Sequence, residues 1–231
     1  MLDTRERFEG LLPPIVAAPC FSIRKPAGLT FRLRDYVSKN IMTEDQAQVL
    51  RQAVIDRRNI LIAGGTSSGK TTLANALLAE IATMGERVII LEDTRELRCD
   101  AEDCVALKTK PGIASLADLV RSTLRLRPDR IIIGEVRGGE ALDMLKAWNT
   151  GHPGGVATVH ANSAASALAR LEQLIQEAVA VVPRALIAEA IDIVVYLQGR
   201  GEERRVTELI AVNGLDPSGG YRLKAFAVRL A

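Results

Sequence analysis

The stretch Gly64, Gly65, Thr66, Ser67, Ser68, Gly69, Lys70, Thr71 fits the pattern GxxxxGK[ST]; it follows the apolar run ILIA and opens a helical period that Thr72 joins. A strand before and a helix after are the context a phosphate-binding loop requires. Glycines let successive backbone N–H groups curl around phosphate oxygens with no Cβ in the way, and the N-terminus of the following helix adds positive potential. Lys70 is then placed to bridge the β and γ phosphates of ATP, and Thr71 to hold Mg²⁺.

Such a loop alone does not separate a kinase from a motor or a switch. The carboxylates narrow the choice. RIIIGEVR, residues 130 to 137, is an apolar strand leading into Glu135, which would stand beside the loop and could hold the water shell of Mg²⁺; a solvated strand-end glutamate is the bland alternative. Glu92, Asp93, Thr94, Arg95 and Glu96 follow a second apolar run, VIIL, so their side chains emerge at the same sheet edge unless they form only a charged turn. The two histidines both fall in GHPGGVATVH. His152 follows Gly151, a natural helix terminator, and His160 ends a strand, where a lone histidine is more often simply hydrogen-bonded.

Four uniformly apolar runs must carry these groups: ILIA at 60–63, VIIL at 88–91, IIIG at 131–134 and VATVH at 156–160. Short strands without polar alternation imply a sheet covered on both faces. Between them Leu73, Leu77 and Ile81 mark one helix face, Leu116, Leu119, Val120 and Leu124 a second, and Leu168, Leu171, Leu174 and Ile175 a third. The alternation predicts an α/β fold with a mostly parallel sheet. Thr43, with Gln46 three residues on, predicts a capping box and a helix running toward Arg57. Past Ile191 the runs DIVVYL, RVTELIAV and YRLKAFAV have no helix between them, which predicts an antiparallel tail.

Residues 1–34, rich in proline and arginine, read as the C-terminal part of a small N-terminal domain whose strands have nothing before them to pair with, so that the natural protein would continue upstream. An irregular arm is the alternative. Residues 35–42 read as a linker and 43–231 as the main domain.

Composition removes several classes. In 231 residues, 48% hydrophobic and 25% charged describe an ordinary globular chain with a sizeable core. Thirty Lys plus Arg against 28 Asp plus Glu leave a formal charge of +2, which argues against a strongly basic nucleic-acid binder. Cys20, Cys99 and Cys104 lack CxxC spacing and are expected to be buried, unreactive thiols in a reducing compartment. The charged start MLDTRERFEG has no signal-peptide core, and the uncharged run Leu11 to Ile23 is too short and too proline-rich to span a bilayer. Arg121 and Arg125 lie one turn apart with Arg127 and Arg130 beyond; pairing across a subunit boundary and a solvated face fit them equally. Trp148, in register with Leu142 and Leu145, is expected in the core.

GGTSSGKTT, LEDTREL, RPDRIIIGEVR and GHPGGVATVHANSA, in that order, resemble the traffic ATPases of type II and type IV secretion, most nearly the conjugative-transfer members, over essentially the whole chain. The resemblance implies a RecA-like domain joined to the end of a small N-terminal α+β domain, with ATP and Mg²⁺ as cofactors. It implies that Glu96 orients or deprotonates the attacking water, and that Thr71, Glu135 and Glu92 serve the metal. It further implies that His160 senses the γ phosphate, and that Arg7 and Arg24, otherwise plain surface charges, reach the nucleotide's phosphates. A homo-oligomer, a hexamer, working with inner-membrane proteins at the cytoplasmic face of the bacterial inner membrane is implied in the same way. Two other readings stay open: a nucleotide-gated assembly module with negligible turnover, and a nucleic-acid translocase. Four Phe, three Tyr, one Trp and a charge of +2 supply the latter with few stacking or phosphate contacts.

Overall fold

The computed structural model describes residues 6–25 and 31–226, apart from the side chains of Arg7 and Arg24. Strands β1 (Arg7–Leu11) and β2 (Cys20–Arg24) form a sheet of their own, antiparallel, from Arg7 opposite Arg24 to Leu11 opposite Cys20. The two strands pair with each other.

After them come α1 (Leu33–Ser38), α2 (Glu44–Ile55), β3 (Ile60–Gly64), α3 (Lys70–Ile81), β4 (Val88–Glu92) and β5 (Cys104–Lys108). The chain continues through α4 (Leu116–Thr123), β6 (Arg130–Ile133), α5 (Glu140–Asn149), β7 (Val156–Val159), α6 (Ala164–Gln176) and α7 (Arg184–Ala190). It ends in β8 (Ile193–Gln198), β9 (Arg205–Leu215) and β10 (Tyr221–Ala225). The second sheet has eight strands in the order β10, β9, β8, β3, β7, β6, β4, β5. Its centre, from β8 to β5, is parallel.

Each central strand sends alternate side chains to opposite faces. Ile60 and Ile62 of β3, Ile90 of β4 and Ile132 of β6 join one apolar cluster with α1, α2 and α3. Leu61, Ala63, Ile89, Leu91, Ile131 and Ile133 join another with α4, α5, α6 and α7. A strand apolar at every position is therefore what a sheet between two helical layers demands. The capping box on α2 forms as read: Thr43 Oγ1 accepts from Gln46 N at 3.2 Å and Gln46 Oε1 from Thr43 N at 2.9 Å. Gln46 Nε2 goes on to donate to Val206 O at 3.1 Å, which ties α2 to β9.

Some expectations need correction. β8, assigned to an antiparallel tail, lies parallel beside β3; only its pairing with β9 and that of β9 with β10 are antiparallel. The 35–42 segment contains the last four residues of α1, whose Leu33 and Tyr36 are fully buried. Cys20, on β2, is exposed, while Cys99, in the segment between β4 and β5, and Cys104, on the edge strand β5, are half-buried against the core. Burial still pushes both partly covered thiols up, Cys104 to about 12, so they stay protonated at neutral pH.

Arg130 is neither solvated nor at a boundary between chains: it is 1% exposed, bonded to Glu86 and to Val54 O at 2.8 Å. Arg121 pairs within the chain, with Asp118 at 2.7 Å and Asp143 at 3.3 Å. Trp148 is in the core as expected, its indole N–H donating to Ile131 O at 3.1 Å.

Candidate functional site

The C-terminal ends of four neighbouring parallel strands converge on one cavity of about 410 Å³. Crevices at this edge of an open α/β sheet are where ligands bind. β3 delivers the loop 64–71 and the start of α3, β4 the acidic segment, β6 Glu135, and β7 His160. Thr66, Ser67, Gly69, Lys70, Thr71 and Thr72 line the cavity, as do Glu92, Glu96, Glu135 and His160. Gly64, Gly65 and Ser68 lie outside that lining. Arg7 and Arg24 face each other across the β1–β2 ladder, and the expectation for their side chains falls outside the described residues.

Lys70 is buried at the first turn of α3, its ammonium donating to Gly64 O at 2.9 Å and Gly65 O at 3.0 Å. One turn further, Asn75 shares a helix face with Thr71, since i and i+4 positions align. Asn75 is a positioning residue that sequence reasoning missed. Its side chain accepts from Arg98 N at 2.8 Å and donates to Glu96 O at 3.3 Å, holding the acidic segment against α3.

Glu92 holds the same segment from the other side. Only 4% exposed, its Oε1 accepts from the backbone N–H of Glu96 at 2.9 Å and of Leu97 at 2.8 Å. So positioned, Glu96 brings Oε2 to 3.4 Å from the Thr71 hydroxyl. Loop support is thus the role the geometry gives Glu92.

Glu135 is clamped: Arg137 donates to its Oε2 from Nε at 2.9 Å and again from Nη2, and His160 Nε2 stands 2.6 Å from its Oε1. Arg137 also reaches Asp93 at 3.6 Å, and Asp93 accepts from Thr109 at 2.8 Å. Arg137 is the second missed residue, although it closes the very motif that flagged Glu135.

On its other ring nitrogen, His160 Nδ1 lies 3.4 Å from Lys70 Nζ. An ammonium can only donate, so Nδ1 is the acceptor in that contact and the neutral ring carries its proton on Nε2. Burial, then the Lys70 charge, push the His160 pKa below its ordinary value, which keeps the ring neutral. Thr158, just before His160, donates to Gly134 O at 2.6 Å and locks the β6 and β7 ends together. His152 stands apart: its Nδ1 is bonded to Pro128 O at 2.9 Å, a loop anchor outside the cavity.

Arg204, in the turn between β8 and β9, also lines the cavity, and nothing in the sequence pattern marks it. Taken together, the arrangement can bind a polyphosphate on backbone N–H groups and Lys70. It can also set a carboxylate, Glu96, beside the hydroxyl that would face a metal.

The type II/IV secretion system protein family matches residues 7–198. The chain is 55% identical to the conjugal transfer protein TrbB of Rhizobium radiobacter over 90% of its length and 65% of that protein's. It is 51% identical to the probable TrbB of Sinorhizobium fredii, over 95% of this chain and 67% of that one. Among solved structures it resembles the VirB11 ATPase of the Brucella suis type IV secretion system, in complex with sulphate. That match has a TM-score of 0.67 at 30% identity and covers 89% of this chain and 70% of that one. The Legionella pneumophila ATPase DotB, at 22% identity, shares the fold with a TM-score of 0.66. The chain thus spans about two thirds of the length of these curated relatives, and its main sheet has the expected RecA-like architecture.

Proposed function

The chain belongs to the type II/IV secretion system protein family, and on that basis we propose that it hydrolyses ATP as an oligomer, a hexamer, to power a type IV secretion or conjugative-transfer apparatus at the inner membrane. The similarity to conjugal transfer proteins and to a type IV secretion ATPase supports this reading. The observation that carries it is the pairing of a phosphate loop, whose Lys70 caps its own Gly64 and Gly65 carbonyls, with Glu96 held 3.4 Å from Thr71.

In this proposal the triphosphate takes over the Lys70 ammonium from those carbonyls and lies on the N–H groups of residues 66–72. Among the described residues no group of three or more His, Cys, Asp or Glu could hold a metal by itself. That fits Mg²⁺, which keeps several waters and needs only one or two protein ligands beside the phosphates. Thr71 would hold it directly and Glu135 through its water shell, with Glu92 fixing the loop; once bound it would neutralise charge on the β and γ oxygens. Glu96 then orients or deprotonates the attacking water. His160 turns from Glu135 toward the γ phosphate, while Arg137 keeps its hold on Glu135. Arg7 and Arg24 supply further cations to the phosphates.

The test is nucleotide binding and phosphate release by the purified chain with Mg²⁺. Lys70→Ala should lose ATP affinity, whereas Glu96→Gln should bind ATP nearly as well as the parent and turn over roughly 10²- to 10⁴-fold more slowly. Unchanged binding and hydrolysis in Lys70→Ala would overturn the site; full turnover in Glu96→Gln would remove Glu96 from the mechanism.

A further inference from the structure

Sheet order divides the cavity into two sides. The acidic segment, Glu135 and His160 come from β4, β6 and β7, all on one side of β3; β8 is the neighbour on the other side, and the turn after it carries Arg204. This turn is braced. Arg205 Nη1 donates to the carbonyls of Glu202 and Arg204, both at 2.7 Å, so one arginine closes the turn while the next one in is directed at the P-loop.

Arg204 lies over the last glycine of that loop. Gly69 has φ +94° and caps the N-terminus of α3; a Cβ there would stand 2.7 Å from Arg204 Cζ, 2.8 Å from Nε and 2.9 Å from Nη1. The guanidinium therefore fills the space that the missing side chain leaves. It borders the same cavity as Lys70 and Thr71, and its Nε is buried without a hydrogen-bond partner. A buried donor left unmatched costs free energy unless a ligand completes it.

We propose that Arg204 is a nucleotide-contact residue that binds the α-phosphate and sugar end, opposite the end where hydrolysis occurs. The inference rests on the nucleotide reading of the P-loop. The γ end must lie among Glu96, Glu135 and His160, since those groups supply its chemistry, and a nucleotide held on the loop then extends toward the β8 side. A planar guanidinium with five donors suits a phosphate oxygen and a neighbouring hydroxyl together. Contact at that end is shared by ATP and ADP, so Arg204 sets affinity for both and takes no part in distinguishing them.

Equilibrium binding of ATP and of ADP to the full chain tests this, with Arg204→Gln, Arg204→Lys and Lys70→Ala measured side by side. Arg204→Gln should weaken both nucleotides by the same factor, roughly 10- to 100-fold, as for loss of a charge-assisted bond. Arg204→Lys should recover part of that affinity. In ³¹P spectra of bound ADP, Arg204→Lys should shift the α resonance more than the β. Parental affinity for both nucleotides in Arg204→Gln, with Lys70→Ala impaired, overturns the inference alone. So does a loss confined to ATP, or a shift confined to the β phosphorus. Unimpaired binding in Lys70→Ala overturns the nucleotide reading itself and the inference with it.

Discussion

His160 joins two charges of opposite sign, and its neutrality is what lets it do so. The groups facing it are Lys70, Glu135, Arg137 and Arg170; burial and then Lys70 lower its pKa, with Glu135 alone among the four working the other way. The unfolded chain therefore takes up a proton more readily than the folded one as pH falls below the ordinary histidine value of about 6.5. Stability tied to His160 is complete above that value and declines as pH drops toward the lower folded value. Urea midpoints between neutral pH and about pH 5 should fall in the parent, with a shallower slope in His160→Gln. Asp118, held at about 2 chiefly by Ser115, loses its contribution only below the ordinary carboxylate value of 3.8, outside that window. Identical slopes in parent and variant would mean that the ring is not held neutral. The residues that mark this site in the sequence do so through spacing imposed by the ligand: GK[ST] places a cation and a hydroxyl on one helical turn. Asn75 and Arg204 work through contacts with segments that join them only in the fold, and local pattern carries no trace of those; Arg137 stands two residues from the Glu135 it clamps, but its reach to Asp93 is set by the fold.

Elements announced themselves where a local rule suffices. The Thr43 and Gln46 cap is a three-residue interaction, and the central strands are apolar at each position because both faces are covered. β5 escaped notice because it is an edge strand with Lys108 and half-buried side chains, and β8 was misassigned because its partner β3 lies more than a hundred residues away in sequence. Arg130 escaped for a similar reason: its burial depends on Glu86, Val54 and Gly154, which tertiary structure alone assembles. The entry into β7 depends on one close approach. A Cβ on Gly155 would stand 2.1 Å from both Nε1 and Cε2 of Trp148, while that indole is fixed by its bond to Ile131 O. Gly155→Ala must displace Trp148 or the strand itself, at a cost of about 1–3 kcal/mol, read as a lower urea midpoint with unchanged slope. A change within about 0.5 kcal/mol, the range of a neutral surface substitution, would contradict the packing.

On the scale of the whole molecule, the described residues leave the cavity short of uncommitted cations. Of the basic side chains lining it, Lys70 serves the β and γ phosphates in the proposed mechanism. Arg137 is bonded to Glu135 and Asp93, and Arg204 lies on the far side of β3. Charge growing on a transferred phosphoryl group is commonly met by an additional arginine worth roughly 10³ to 10⁵ in rate. The β1–β2 sheet that carries Arg7 and Arg24 leaves Phe8 67% and Phe21 69% exposed, their rings stacked at 6.0 Å, and large exposed apolar groups of this kind mark contact surfaces. If assembly completes the site, turnover per subunit is low in the isolated chain and climbs with protein concentration. Sedimentation with ATP should show larger species over the same range. Adding DNA at low salt should leave the rate unchanged, since the formal charge is only +2. A rate per subunit that stays flat while sedimentation shows growing assemblies would remove the oligomer from catalysis, and salt-sensitive stimulation by DNA would move the reading to a nucleic-acid translocase.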